Sequence, residues 1–145
     1  MPLRFDLAPF EKLHIGRSVL TNYDGRTQFT LDGDTPVLRA KDVLDAGRAG
    51  SPIERLYVCV QQMYLEEDAA KYQGAYLSMA AQSMSADPAV ASDLQAVERL
   101  LTDGDLYKAL KLLKRLLPPA LFAVVHEEPA SYKPRGRRSG SSSTG

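Results

Sequence analysis

The sequence predicts an α+β chain: a small N-terminal antiparallel β-sheet or partial barrel, a bundle of about four α-helices, and a disordered C-terminal tail. Three observations carry this reading. Residues 1–45 alternate polar and apolar side chains with period two between turn residues. From residue 51 the period becomes helical, opening on the capping-box pattern Ser51-Pro52-Ile53-Glu54. The stretch 129–145 has almost no aliphatic residues and ends in Ser-Gly-Ser-Ser-Ser-Thr-Gly, too little to offset the entropy of ordering. The expected organisation is a β segment over 1–45, a helical segment over 46–128 packed with it, and a basic tail over 129–145.

In the β segment, Leu3, Phe5 and Leu7 share one face, and Leu13 and Ile15 oppose Lys12 and His14, as successive strand side chains must. Asn22-Tyr23-Asp24-Gly25 and Asp32-Gly33 read as tight turns whose residues tolerate positive φ, and Thr27, Phe29 and Leu31 alternate with Arg26, Gln28 and Thr30. The result is one curled sheet with an apolar face and a polar face carrying Arg4, Lys12, His14, Arg26 and Gln28.

The first helix carries a stripe of Ile53, Leu56, Tyr57, Val60, Met63 and Tyr64, with Val58 and Leu65 on another side, so neighbours are expected on two sides. A second helix spans about Ala69–Met84, with Tyr72, Ala75, Tyr76 and Met79 aligned. Asp87-Pro88 caps a third, with Val90, Leu94, Val97 and Leu101 along its seam and Gly104 as its stop. The fourth runs from Asp105 to just before Pro118-Pro119. Its leucine seam is Leu106, Leu110, Leu113 and Leu117, and Lys108, Lys111, Lys114 and Arg115 lie on the opposite arc.

Composition narrows the function classes. The 145 residues are 44% hydrophobic and 25% charged, enough to bury roughly 70% of the unfolded surface without disulfide or metal. The longest uncharged apolar stretch, Leu116–Val125, holds ten residues and two prolines, against the ~20 needed to span a bilayer. With no secretory pattern at the N-terminus, the expected compartment is the cytoplasm. His14 and His126 have no Cys or His at metal-ligand spacing, so neither metal nor cofactor is expected. Phosphate-loop, dinucleotide and nucleophile-elbow motifs are missing, which argues against an enzyme. Cys59, the sole cysteine, sits among apolar helix residues as a small core side chain, and Tyr57, Tyr64, Tyr72 and Tyr76 at helical spacing also read as core.

The formal net charge of zero conceals a net charge of minus four over residues 51–102 and plus four in the tail. A solvated helix face and a soluble tail account for that pattern. A phosphate-binding surface is the competing reading, because Lys and Arg displace the counterions condensed on nucleic acid. Its candidate residues are Arg4, Lys12, His14, Arg26 and Lys41 in the first segment, Lys108, Lys111, Lys114 and Arg115 on the fourth helix, and Arg135, Arg137 and Arg138 in the tail.

Three stretches together resemble the FlbT family, the flagellum-biosynthesis repressors of alphaproteobacteria. They are the opening Met-Pro-Leu-Arg-Phe-Asp-Leu-Ala-Pro-Phe-Glu-Lys, the segment Val37-Leu38-Arg39-Ala40-Lys41-Asp42-Val43-Leu44, and the capped helix from Ser51 through Gln61-Gln62-Met63-Tyr64-Leu65, with a fainter match at Tyr107-Lys108-Ala109-Leu110. The resemblance covers roughly residues 1–117 and departs at Phe10, where the family usually has Gly. It implies a post-transcriptional regulator that binds the 5′ untranslated leader of flagellin mRNA, inhibits its translation and promotes its decay; some relatives are regarded as activators. The competing expectation is a protein-interaction adaptor in flagellar assembly, docking a FlaF-type regulator or flagellin and affecting RNA indirectly. Homodimerisation would suit the leucine seam and open sheet edges. For Arg39 the expected role is structural: pairing with an internal carboxylate to hold strands to helices.

Overall fold

A computed structural model describes residues 2–124 and 126–134. Five strands come first: β1 (Leu3–Leu7), β2 (Lys12–Ile15), β3 (Ser18–Thr21), β4 (Thr27–Leu31) and β5 (Val37–Arg39). Four α-helices follow: α1 (Pro52–Glu66), α2 (Gln73–Ala86), α3 (Ala91–Thr102) and α4 (Leu106–Lys114), with short 3-10 turns between them. The α+β class is as the sequence predicts.

The strands form two small antiparallel sheets instead of one. β1 pairs with β4, bringing Phe5 opposite Phe29, while β2 lies between β3 and β5. The inner hairpin turns at Gly16, whose φ of +59° and close approach to Thr35 favour a residue without a side chain. Neither turn segment expected to close a hairpin does so, since 22–25 joins β3 to β4 and 32–33 joins β4 to β5, each crossing between sheets. Asn22 acts through its side chain: its amide nitrogen donates to the carbonyls of Leu7, Ala8 and Gly25 at 3.2, 2.9 and 2.9 Å. Phe5, Leu7 and Leu13 form the buried centre of this β layer, with Ile15, Phe29, Leu31 and Val37 packed around them.

Phe10 adopts φ +62°. That left-handed conformation costs an L-residue about 1–2 kcal/mol and glycine almost nothing, which accounts physically for a glycine preference at this turn. Here the ring is put to use. Tyr132, within the stretch read as tail, packs edge-on against both Phe10 and Tyr23, and its hydroxyl donates to Asp24.

Helix α1 begins as its sequence dictates. Ser51 Oγ accepts from the Glu54 amide at 3.2 Å, and Glu54 Oε1 accepts from the amides of Ser51 and Gly50 at 3.2 and 2.8 Å. Ser51→Ala is expected to lower stability by about 1 kcal/mol, read as a lower denaturation midpoint with an unchanged m-value. Leu56, Tyr57, Val60 and Met63 are buried against α4 and α2, so the helix is covered on two sides. Gln61, also buried, satisfies both backbone groups of Leu44: it accepts from the amide at 2.8 Å and donates to the carbonyl at 3.1 Å. Cys59 is a core residue, its thiol pushed up to about 11 by burial and donating to the Tyr72 carbonyl.

A short 3-10 turn, Ala70–Tyr72, precedes α2, which buries Tyr76, Ala80 and Ser83 and leaves Ala75 and Leu77 exposed. In α3 the buried seam is Leu94 and Val97, and Gly104, at φ +78°, ends the turn after it. Ala109, Leu110, Leu113 and Leu117 of α4 and its following turn are fully or nearly buried. Leu38 and Leu44 belong to the same cluster, so the segment leading out of β5 reaches into the helical core.

Candidate nucleic-acid interface

The junction between strands and helices is organised by the motif Val37–Leu44. β5 ends at Arg39, and a 3-10 turn over Ala40–Asp42 carries Asp42 inward, where it is 3% exposed. A buried carboxylate must be compensated, and two lysines one helical turn apart on α4 supply the compensation. Asp42 Oδ1 accepts from Lys111 Nζ at 3.0 Å and from Lys114 Nζ at 2.8 Å. Lys114 also donates to the Lys41 carbonyl at 2.8 Å, and Tyr57 donates its hydroxyl to the Asp42 carbonyl at 2.6 Å. Burial alone would raise the Asp42 pKa. The hydrogen bonds and charges of Lys114 and Lys111 outweigh it and hold the carboxyl below its ordinary range.

Lys111 and Lys114 therefore depart from the solvated basic arc read from the sequence: they turn onto Asp42 because helical spacing alone cannot register a carboxylate arriving from a distant turn. Lys108 stays at the surface in an i,i+3 pair with Asp105 at 3.5 Å, and Arg115 is exposed. The carboxylate expected to hold strands to helices exists, but its partners are these lysines. Arg39 does its bridging differently, with its guanidinium over the Phe5 ring at 5.5 Å and Nη2 donating to the Asp6 carbonyl at 3.4 Å.

Above this clasp lies a cleft of about 510 Å³ between β1, β5, α1 and α4. Among the described residues, Arg4, Arg39, Lys41 and Lys111 line it against a single carboxylate, Asp42. Tyr64 and Tyr107 form its aromatic wall, with ring centroids 5.7 Å apart. Tyr64 is fixed by β5, donating to the Val37 carbonyl at 3.1 Å, whereas Tyr107 is 43% exposed. Lys111 Nζ stands 5.7 Å from the Tyr107 ring centre. Cations and an accessible aromatic face thus meet in one concavity.

The other candidates lie apart. Arg4, Lys12, His14 and Arg26 do not share one face, because the strands divide into two sheets. Arg26 is paired with Asp6 at 2.8 Å. Lys12 and His14 line a separate cavity of about 250 Å³ with Arg48 and the segment Leu121–Val124. There, burial and the neighbouring Lys12 charge lower the His14 pKa and favour its neutral form. Arg135, Arg137 and Arg138 lie outside the described residues. Of the candidates named from sequence, the cleft unites Arg4, Lys41 and Lys111; Arg39, Tyr64 and Tyr107 join them. The Tyr107-Lys108 pairing at the start of a basic helix was the available signal for an aromatic among cations.

Among the described residues, no helix is long and apolar enough to cross a membrane, and no group of His, Cys, Asp and Glu could hold a metal ion. A family described as flagellar protein FlbT matches residues 3–119. A probable flagellum biosynthesis repressor protein FlbT of Rhodopseudomonas palustris (strain TIE-1) is 46% identical over 117 residues, covering 81% of this chain and 93% of that protein. A protein of Bradyrhizobium diazoefficiens described as probable flagellum biosynthesis repressor protein FlbT 1 is 34% identical over 118 residues, 81% of each chain. The flagellum biosynthesis repressor protein FlbT of Caulobacter vibrioides (strain ATCC 19089) is 31% identical over 120 residues, 81% of this chain and 85% of that protein. No solved structure matches. The stretches that carry the likeness in sequence are those that build the β1 wall, the Asp42 turn and the capped α1, and the chain belongs to the FlbT family of flagellar regulators, which is not an enzyme family.

Proposed function

We propose that this protein regulates flagellin synthesis by binding the 5′ untranslated leader of flagellin mRNA in the cleft between β1, β5 and α4, inhibiting translation and promoting decay of the message. The observation that carries the reading is the meeting of Arg4, Arg39, Lys41 and Lys111 with the accessible ring of Tyr107 in one concavity. That pairing suits RNA for a physical reason. The deep, narrow major groove of an A-form helix hides base edges from side chains, so proteins read RNA through phosphates and through unpaired bases stacked on aromatic rings. In the cleft, Arg4, Arg39 and Lys41 take successive phosphates while a splayed loop base stacks on Tyr107. Occupying the leader excludes the ribosome and leaves the message open to cellular nucleases.

The test is a titration of the purified full chain against the flagellin leader of its source organism and a scrambled RNA, at two salt concentrations. Leader-selective binding is expected, with log K falling against log salt at a slope of about −2, the value for three phosphates on a single strand. Affinity that ignores both sequence and salt overturns the proposal. A translation assay with the bound leader then distinguishes repression from activation.

A further inference from the structure

Beside the cleft, and sharing Lys111 of α4 with it, a groove of about 650 Å³ runs between α3, α4 and the turn that follows Pro118-Pro119. Its floor is apolar: Leu100, Leu112, Leu117, Pro119 and Phe122. Its rim is cationic: Lys108, Lys111, Lys114 and Arg115. Asp105 balances Lys108, and the single carboxylate of Asp42 is shared by Lys111 and Lys114. Arg115 has no ion pair among the described residues. The rim therefore keeps an excess of positive charge around a floor that water solvates poorly.

We infer that this groove docks an acidic amphipathic helix of a protein partner, a function separate from RNA binding in the cleft. Two features select that occupant. Leucine and proline walls accept the aliphatic anchors that an amphipathic helix presents at i, i+3, i+4 and i+7, and the nine residues of α4 offer a wall about 14 Å long, two to three turns of such a helix. The cationic rim favours carboxylates flanking those anchors. RNA suits the groove poorly, because Phe122, its one aromatic, is buried beneath Lys114, whose Nζ lies 4.8 Å from the ring centre. No aromatic face is left for a base to stack on, in contrast to Tyr107 in the cleft.

The experiment uses the full chain and two designed helical peptides of about 14 residues with the same leucine anchors, one flanked by glutamates and one by lysines. Binding is read by fluorescence anisotropy and mapped by NMR shifts. The acidic peptide is expected to bind, perturbing Leu100, Leu112 and Leu117, with affinity falling about tenfold in Arg115→Glu. That substitution is at an exposed position, and circular dichroism confirms the fold; Leu112→Ser, checked in the same way, should also weaken binding. Arg4→Glu, which alters only the cleft, should leave the peptide bound. Equal binding of both peptides, or of neither, overturns the inference. So does displacement of the peptide by a single-stranded oligonucleotide, which would give the groove to RNA, or a dimer of the full chain that Arg115→Glu dissociates, which would give it to a second copy.

Discussion

Asp42→Asn is expected to destabilise the protein while strengthening its hold on RNA. The substitution keeps the shape of the side chain but leaves two ammonium groups, Lys111 and Lys114, converging on an uncharged amide. Breaking one side of a buried pair costs about 3–5 kcal/mol, and because both lysines retain solvent contact the expectation here is nearer 2–3 kcal/mol. For a chain of this size that corresponds to a fall in melting temperature of roughly 5–10 °C. The pH dependence has a defined sign. The Asp42 carboxyl is held below its ordinary 3.8, so its stabilisation is complete above that value and is lost as pH falls through the lower folded-state pKa. The partner side follows the opposite rule. Burial alone would lower the Lys111 pKa, but the hydrogen bond and charge of Asp42 raise it above 10.5, so this contribution is present below 10.5 and disappears at more alkaline pH. Denaturation curves of the two proteins should therefore differ at neutral pH and converge in acid. Removing the carboxylate also removes the only negative charge that lines the cleft among the described residues, so the leader should bind more tightly at low salt, measured well below the melting transition. Unchanged stability at neutral pH would show that the clasp contributes nothing net.

The Asp42 clasp also shows what the sequence could and could not disclose. Local signals were legible wherever a residue acts on its own neighbourhood: the Ser51–Glu54 box, the leucine seam of α4, the alternation of β1. The stripe of α1 even announced its two coverings. Pairings between distant segments were not legible. Asp42 and Lys114 are 72 residues apart, and nothing in the charge of either says that they meet. The same blindness merged the β segment into one sheet. Period-two alternation says which residues share a face of a strand, but not that β1 would reach over the β2–β3 hairpin to pair with β4. It also concealed Asn22, whose contribution is an amide that ties three carbonyls, not the left-handed backbone its residue type suggests. The candidate site suffered most, because a basic residue is recognisable in sequence but its neutralising partner is not. Lys111 and Lys114 read as free cations, Arg26 hides its pairing with Asp6, and Tyr107 gains its place only once α4 lies beside β5.

The second large effect is expected from charge reversal in the cleft, and its value lies in separating a site from a diffuse basic surface. The double variant Arg4→Glu, Lys41→Glu removes two phosphate partners. It should weaken leader binding about a hundredfold at low salt and make the slope of log K against log salt shallower by about 1.4, the contribution of two phosphates on a single strand. Both side chains are exposed and neither makes an ion pair among the described residues, so the fold should survive. Tyr107→Ala tests the other half of the mechanism. Losing one stacked base costs about 1–3 kcal/mol, and since stacking releases no counterions the loss should be the same at both salt concentrations. Lys108→Glu is the control: it lines the neighbouring groove and not the cleft, is already balanced by Asp105, and reverses a charge on α4 without changing the lining of the cleft. A site predicts a steep, salt-dependent loss for the double variant, a salt-independent loss for Tyr107→Ala and little change for Lys108→Glu. A general electrostatic film over α4 predicts instead that Lys108→Glu costs as much as either cleft charge and that Tyr107→Ala costs nothing. The two patterns differ in which variants lose affinity and in whether any of the loss is independent of salt, so measured isotherms at two salt concentrations decide between them.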